Sequence, residues 1–473
     1  ALYTERRICM RGKYEASRPK RRYGLLLIPV LILALAAGAL FLIPRGDTPD
    51  TPPAVPQISG TTLPETSAET TTETTLPEPE HVVATARLSA MGDLLMHGPI
   101  FAANTAVRQA DGTYDFSSVF RYISDYVKKA DYAVANLETT LRGPDVAYAG
   151  YPNFNCPDNI VDSAVAAGFT ALQTANNHCY DTLMAGLTRT VEVVRQAGIP
   201  AYGVRLSGDE PRYHVADVNG IRIGFVCYTY TTSMGENGRP RLNGNSPVEK
   251  PELVNFFSYG NLDGFYTELS GIREQMLAEG AEATVFLVHW GTEYELTENN
   301  YQRQIAQKVC DMGFDAIIGA HPHVVQPAAL LRSTEDPSHL TACIYSLGNA
   351  VSNQRRELMN LNTGNTEDGA LFSVSFDQYS DGTVYLADAE LLPTWVNMHT
   401  GDSGVEYNIL PLDNDTREDW QNLYQLTDRE YSRSLESYDR TDAITGAGMA
   451  DIRQALAQAR ETRDAAYLAA VGR

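Results

Sequence analysis

Hydrophobic and polar positions divide the chain into three stretches with different patterns. Residues 24–43, GLLLIPVLILALAAGALFLI, are apolar without interruption and carry no charge. Residues 44–80 are rich in Thr, Pro and Glu and show no apolar period. From about His81, short apolar runs with β-branched residues alternate with amphipathic stretches, as strands alternate with helices. The pattern therefore predicts an apolar segment, a linker and a globular region.

The apolar segment is long enough to cross a bilayer, whose hydrocarbon core takes about 20 apolar residues. Eight basic residues precede it and only Arg45 closely follows, so the positive-inside rule places the N-terminus in the cytoplasm. A core helix would show a polar face, and a cleaved signal peptide usually has a shorter apolar core. We expect a single-pass cell-membrane protein with a cytoplasmic basic tail at 1–23, a transmembrane helix at 24–43 and the catalytic domain outside.

The linker at residues 44–80 has too few apolar residues to bury a core. Its proline and like charges favour an extended chain. We interpret it as an extracellular stalk that holds the folded domain away from the membrane.

Seven strands with polar ends are predicted along the globular region, which we place at 81–400. They are ATARLSAMGD, DYAVANLE, FTALQTANNH, IRIGFVCYTY, ATVFLVHWG, FDAIIGAHPH and TACIYSLGNA. GALFSVSFD and TVYLADAELL are predicted to be antiparallel strands, and helices are expected at 117–129, 157–167 and about 181–197. This alternation favours an α/β fold with sheets covered by helices, in which ligands bind beyond the carboxyl ends of strands. Residues 401–473 are predicted to form a C-terminal helical extension on the surface.

Composition excludes two classes of function. The 473 residues carry a formal net charge of −22, which argues against a nucleic-acid partner because such proteins need a basic surface. The six cysteines include no CxxC pair, so a zinc ribbon has no support.

Polar clusters at the predicted strand ends are the candidate chemistry. Asp, Glu, Asn and His are the residue types that bind divalent Mn, Fe or Zn, and a two-metal site needs a bridging carboxylate and several imidazoles. His321 and His323 are two positions apart, so they share one face if that segment is extended. The clusters are Gly92-Asp93 with His97, Asn136-Leu137-Glu138, Asn176-Asn177-His178, His289-Trp290-Gly291 and His321-Pro322-His323.

The order GD, NLE, NNH, HWG, HPH resembles the CapA (poly-gamma-glutamate capsule synthesis) family, whose domain is similar to calcineurin-like metallophosphoesterases. The fragments ANNHCYD, VHWGTEY, GAHPHVVQP and YSLGN carry the resemblance, which covers roughly residues 85 to 395. It implies a two-sheet sandwich flanked by helices.

The resemblance also implies a role for each matching position in a centre of two divalent ions. Asp93 and His323 match ligands of the first metal, and Glu138 matches the carboxylate that bridges both. Asn177, His289 and His321 match ligands of the second metal. His178 matches the histidine that protonates the leaving group or steadies the transition state.

One position departs from the wider superfamily, which usually has Asp-x-His in its first motif. Leu95 occupies that histidine place, and His97 lies two residues further on. His97 is therefore a candidate metal ligand. The alternatives are that it contacts the substrate or that it has neither role.

Weaker candidates surround these motifs. Glu293 is interpreted either as a partner that orients His289 or as an exposed carboxylate. Tyr345, Ser346 and Asn349 are interpreted either as cleft-lining residues or as core and turn residues. Cys179 is interpreted as structural.

Two functions remain open from the sequence. The first is a metal-dependent hydrolase acting on a phosphoester or a cell-surface polymer, with His178 as general acid. The second is a non-catalytic subunit of a capsule synthesis or export complex, whose metals bind polymer carboxylates. Expected partners are the membrane, poly-gamma-glutamate or a cell-wall polymer, and capsule synthase subunits.

Overall fold

The computed structural model describes residues 81–470 apart from 236 and 362, and the side chains of residues up to 466. The predicted cytoplasmic tail at 1–23, transmembrane helix at 24–43 and stalk at 44–80 lie outside this range. Within it, every helix is either too short or too polar to cross a bilayer.

Seventeen strands and eight α-helices make up the described region. The strands are β1 Val82–Leu94, β2 Tyr132–Leu137, β3 Ala171–Gln173, β4 Ala201–Tyr202, β5 Tyr213–Val218, β6 Ile221–Tyr230, β7 Ser233–Met234, β8 Pro240–Arg241, β9 Phe256–Phe257, β10 Ala283–His289, β11 Ala316–Ala320, β12 Ala328–Arg332, β13 Leu340–Ile344, β14 Asn349–Val351, β15 Asp368–Tyr379, β16 Val384–Gly401 and β17 Gly404–Pro411. The helices are α1 Ser117–Phe120, α2 Ser124–Val127, α3 Asn159–Ala167, α4 Leu183–Gln196, α5 Leu262–Ala278, α6 Asn300–Asp311, α7 Trp420–Leu423 and α8 Asp428–Ala470.

Two mixed sheets carry the architecture. The first has the order β17-β16-β15-β1-β2-β3-β4, with β14 added beside the end of β1. Its β14, β1, β2, β3 and β4 pair in parallel, whereas β15, β16 and β17 are antiparallel. The second has the order β12-β13-β11-β10-β6-β5, with β6, β10, β11 and β13 parallel. The predicted α/β fold with two sheets and flanking helices agrees with this arrangement.

Alternating side chains along the strands build the layers, because successive residues of a strand point to opposite faces. Val134 of β2 and Val285 of β10 belong to one shared core between the sheets. Ala135 packs in an outer core with α1 and α3, and Phe286 packs in another with α5 and α6. The fold is therefore a sandwich with helices outside both sheets.

Residues of the C-terminal range 401–473 belong to the first sheet and to the core, so this range is not only a surface extension. Strand β17 lies inside the range 401–473 that the sequence predicted to be helical, and it pairs with β16. The long helix α8 buries Met449, Ile452 and Leu456 in the core shared by the sheets. A Cβ on Gly448 would lie 1.8 Å from the carbonyl oxygen of Ala328, so this close approach needs glycine.

Candidate metal centre

The predicted polar clusters converge because parallel strands of both sheets end in the same place. The first sheet brings Asp93 at the end of β1 and Glu138 directly after β2. The second sheet brings His289 at the end of β10, and His321 and His323 directly after β11. All five side chains are buried, and together they form the candidate metal centre.

A glycine is required beside the first of these residues. A Cβ on Gly92 would lie 1.9 Å from the carbonyl oxygen of Gly348. That close approach lets β14 join the end of β1, where the Asp93 amide donates a hydrogen bond to the same carbonyl at 3.0 Å. The Gly-Asp pair of the sequence is therefore a packing requirement that fixes the carboxylate.

The first group of possible ligands contains Asp93, Glu138 and His323. The His323 Nδ1 atom lies 3.0 Å from Asp93 Oδ2, and its Nε2 atom lies 3.9 Å from Glu138 Oε1. One ligand atom from each residue falls within 4.8 Å of the other two.

The second group contains Glu138, His289 and His321. The His289 Nε2 atom lies 3.5 Å from Glu138 Oε1, and the rings of His289 and His321 have centroids 4.7 Å apart. Asn177 reaches this group, since its Oδ1 atom lies 2.8 Å from His289 Nε2. Glu138 is the member common to both groups.

Two ligand atoms lack a hydrogen-bond partner in the part of the chain that the structure describes. Glu138 Oε1 and His321 Nδ1 are buried and make no hydrogen bond among the described residues. Burial, followed by the charge of Asp93, raises the pKa of Glu138 well above its usual value. Burial lowers the pKa of His289 to about 3, which keeps this imidazole neutral as a metal ligand must be. This donor set fits divalent cations such as Mn, Fe or Zn, which satisfy the free lone pairs and offset the carboxylate charges.

The segment that carries His321 and His323 is a turn of unusual backbone conformation, not an extended strand. The backbone φ angles are +102° at His321 and +57° at His323. Residues other than glycine rarely adopt positive φ angles. Each such residue costs about 1–3 kcal/mol, and these conformations persist where the surrounding structure demands them. The two imidazoles therefore reach the centre from a strained turn, so the condition under which the sequence placed them on one face, an extended segment, is not met.

Two asparagines of the motifs position the carboxylates, a role that the sequence analysis did not assign. The Asn136 amide donates to Asp93 Oδ1 at 2.7 Å and lies 3.3 Å from Glu138 Oε2. Asn176 in turn donates to Asn136 Oδ1 at 3.0 Å and to the Leu137 carbonyl at 2.9 Å. This chain of amides fixes the rotamers of both carboxylates.

His178 lies at the edge of the centre and is oriented by Asp181. Its Nδ1 atom is 2.7 Å from Asp181 Oδ2, and its Nε2 atom is 4.0 Å from Glu138 Oε1. Asp181 also accepts hydrogen bonds from the Phe154 amide at 2.7 Å and from Asn243 at 3.0 Å. The sequence analysis missed Asp181, although it stands three residues after His178 in the fragment ANNHCYD. Asn243 is too distant in sequence to have been found.

His97 lies outside both ligand groups. Its Nδ1 atom is 3.2 Å from the Leu95 carbonyl, and its ring packs edge-on against Phe154 at 5.2 Å. Leu95, at the place where the wider superfamily has histidine, is buried in the core. The structure thus brings together the other six predicted ligands and leaves His97 beside them.

The weaker candidates divide between support and packing. Asn349 donates to the His323 carbonyl at 3.2 Å, so it supports the strained turn. Glu293 is exposed, and its charge contributes to the raised pKa of Glu138. Burial raises the pKa of the Cys179 thiol to about 12, in keeping with a structural role.

Tyr230, which the sequence analysis did not single out, places its hydroxyl 3.1 Å from His321 Nε2.

The remaining pair of candidates packs behind the centre. Ser346 donates to the Val324 carbonyl at 2.8 Å, and Tyr345 stacks on Trp290 with ring centroids 6.1 Å apart. Both therefore match the core and turn interpretation.

Comparison with known proteins matches residues 87–354 to the family described as Bacterial capsule synthesis protein PGA_cap. The PGA biosynthesis protein CapA of Bacillus subtilis (strain 168) is 28% identical over 270 residues, which cover 56% of this chain and 63% of that protein. The Capsule biosynthesis protein CapA of Bacillus anthracis is 26% identical over 272 residues, covering 56% of this chain and 60% of that protein. The matched part therefore spans about three fifths of each relative.

Proposed function

This chain belongs to the Bacterial capsule synthesis protein PGA_cap family, and we propose that it serves capsule biosynthesis as a hydrolase built around two divalent metal ions. The observation that carries this proposal is the position of Glu138. It is fully buried, belongs to both groups of possible ligands and has an oxygen without a partner among the described residues. A carboxylate in that position is what a pair of neighbouring ions requires.

The ligands divide between the two ions as the family resemblance implies. Asp93 and His323 would hold the first, whereas Asn177, His289 and His321 would hold the second. When bound, such a pair of ions supplies Lewis acidity and a nucleophile active near neutral pH.

His178 is the proposed proton donor to the leaving group. The Asp181 carboxylate accepts a hydrogen bond from Nδ1, which fixes the ring and leaves Nε2 directed toward Glu138. The same carboxylate stabilises the imidazolium, so a proton can be held at Nε2 and delivered from there. His178 needs no place among the metal ligands to do this.

The proposed substrate is a capsule or cell-wall polymer, poly-gamma-glutamate among them, or a phosphoester at the cell surface. With a net charge of −22, the chain offers little general attraction for a polyanion, so the ions or a local basic patch would have to hold its acidic groups. We also propose that residues 24–43 anchor the domain outside the membrane, which brings it close to a polymer under assembly.

A substrate panel with the purified protein tests the hydrolase. The panel contains phosphoesters, poly-gamma-glutamate and wall peptides, assayed with Mn²⁺, Fe²⁺ or Zn²⁺ and again after chelation. We expect metal-dependent turnover of at least one class and its loss in Glu138→Ala. Activity that persists undiminished after chelation would show that the metal assignment is mistaken.

One observation favours the second candidate, a non-catalytic subunit that binds polymer carboxylates. Leu95 occupies the place of the superfamily histidine, and His97 does not reach the first group, so only three carboxylate or imidazole side chains of the described residues would hold the first ion. A binding subunit would take up metal and retain poly-gamma-glutamate without turning over any member of the panel. Polymer retention that disappears on chelation, in the absence of turnover, would select this candidate.

A further inference from the structure

A cleft of about 430 Å³, with both polar and apolar walls, opens at the edge of the sandwich. It is lined by β4 of the first sheet, β5 and β6 of the second, and the segment that follows β4. None of the residues of the candidate metal centre lines it. The cleft is therefore a separate feature with its own side chains.

Arg205 is the notable side chain of this cleft, because it is only 3% exposed. Its Nη1 atom donates to Asn255 Oδ1 at 2.5 Å, and its Nη2 atom donates to the Glu252 carbonyl. Its Nε atom is buried without a hydrogen-bond partner among the described residues. The guanidinium thus has only neutral acceptors, whereas buried charges are normally paired.

The carboxylates that line or border the cleft have other partners: Glu279 accepts from the Tyr213 hydroxyl at 3.1 Å, and Glu210 and Glu268 pair with other arginines. Glu268 forms an ion pair with Arg212 at 3.0 Å, and Glu210 forms one with Arg195. Within the described part of the chain, Arg205 makes no such pair, although the protein as a whole has an excess of acidic residues. The lack of a carboxylate partner for Arg205 among the described residues is therefore a local property of this cleft.

A second guanidinium lies beside the first. Arg212 Nη1 lies 3.3 Å from Asn255 Oδ1, the same oxygen that accepts from Arg205. Burial, and after it the like charge of Arg212, lowers the pKa of Arg205 to about 10, so the Arg205 guanidinium stays charged near neutral pH. Two adjacent guanidiniums attract an oxyanion and repel each other in its absence.

We propose that this cleft binds a small oxyanion, either a carboxylate or a phosphate group, through Arg205 and Arg212. Planar guanidinium groups match the oxygen spacing of both anions, and the unpaired Nε of Arg205 provides a donor that no protein group uses. The half-buried Arg212 forms the outer side, where an anion enters from solvent.

The floor of the cleft is continuous with the backbone of the candidate metal centre. The Tyr202 carbonyl accepts from the amides of Thr174 and Ala175, which directly precede Asn176. Gly203 packs so closely that a Cβ would lie 2.4 Å from the Ala175 side chain. The anion site itself does not depend on the proposed hydrolase, because no metal ligand takes part in it.

Isothermal titration of the full chain with inorganic phosphate and, separately, with glutarate tests the proposal. Both titrations are made after metal chelation, so that a metal centre cannot supply the signal. We expect saturable binding of at least one anion, and the anion that binds more tightly identifies the class. Arg205→Gln should weaken binding at least about tenfold, as expected for loss of a charge-assisted hydrogen bond.

Arg222→Gln is the matched control, because this arginine of β6 is exposed and also donates to backbone carbonyls, yet lies outside the cleft. It should leave both titrations unchanged. If Arg205→Gln fails to fold, Arg212→Gln decides, since its outer position tolerates substitution and it should weaken binding severalfold. No saturable binding to wild type, or equal binding by wild type and the folded cleft variant, would overturn the proposal.

Discussion

The two sheets contribute different chemistry to the candidate metal centre. The first sheet provides oxygen ligands, Asp93, Glu138 and Asn177, whereas the second provides the nitrogen ligands His289, His321 and His323. Oxygen ligands alone would bring two carboxylates together in a buried site, and the raised pKa of Glu138 shows the cost of doing so. Imidazoles alone would hold no charge to balance a cation. The candidate metal centre therefore forms only where the two sheets meet.

The two halves are also held in different ways. On the first sheet, hydrogen bonds from Asn136 and Asn176 fix the carboxylates. On the second, the turn with positive φ at His321 and His323 presents the imidazoles. Substitutions in each half should therefore have distinguishable consequences.

Replacing the residue shared by both halves should have the largest effect. Glu138→Ala should remove both ions, because the bridging carboxylate holds the pair together, and elemental analysis of the purified variant measures this. In wild type, metal at about 100 times its Kd should add about 2.7 kcal/mol to the free energy of unfolding, and the variant should show no such gain. If Glu138→Ala still bound two ions per chain, Glu138 could not be the ligand that the two metal sites share.

Glu138→Gln is the control for folding. Without metal it should be at least as stable as wild type, because it removes a carboxyl whose ionisation both burial and Asp93 disfavour. If the metal-free variant had a much lower free energy of unfolding than metal-free wild type, Glu138 would instead have a structural role.

Substitutions within the imidazole half should remove one ion each. His323→Ala should lower the content of the first site and His289→Ala that of the second, because an open site has few protein ligands. Metal titration followed by elemental analysis should give close to one tightly held ion in each variant. Equal loss of both ions in either variant would mean that the sites are not separable.

His178→Ala should leave both ions in place and affect only the rate. Loss of a general acid should slow hydrolysis of a responsive substrate by a factor of about 100 to 10,000. Asp181→Asn is the matched variant, since it keeps the shape and weakens the orientation of His178, and it should lose less. A wild-type rate in His178→Ala would contradict the proton-donor role.

The smallest effect is expected at His97. Because its ring faces Leu95 and Phe154 and not the ligand groups, His97→Ala should retain wild-type metal content. Should either ion be lost, His97 would have to move into the centre when metal binds, and the first group would gain a fourth ligand.

Much of the architecture follows from local sequence patterns. The strands that carry Asp93, Glu138 and His289 were predictable because buried parallel strands are short apolar runs followed by polar residues. The helix near 181–197 was predicted from its apolar stripe and is observed as Leu183–Gln196. One helix was predicted at 117–129, but the structure has two separate helices of about one turn each, Ser117–Phe120 and Ser124–Val127.

The sequence by itself determined which residue types stand at the strand ends, and therefore the class of ion they suit. Tertiary structure alone decided that Asp181 and Asn243 orient His178 and that His97 faces elsewhere. It also decided that Arg205 is buried without a carboxylate partner among the described residues. The physical reason is that ligand geometry depends on distances between strands of different sheets, which are set by core packing between distant segments. Periodicity describes only the face of an element on which a residue lies.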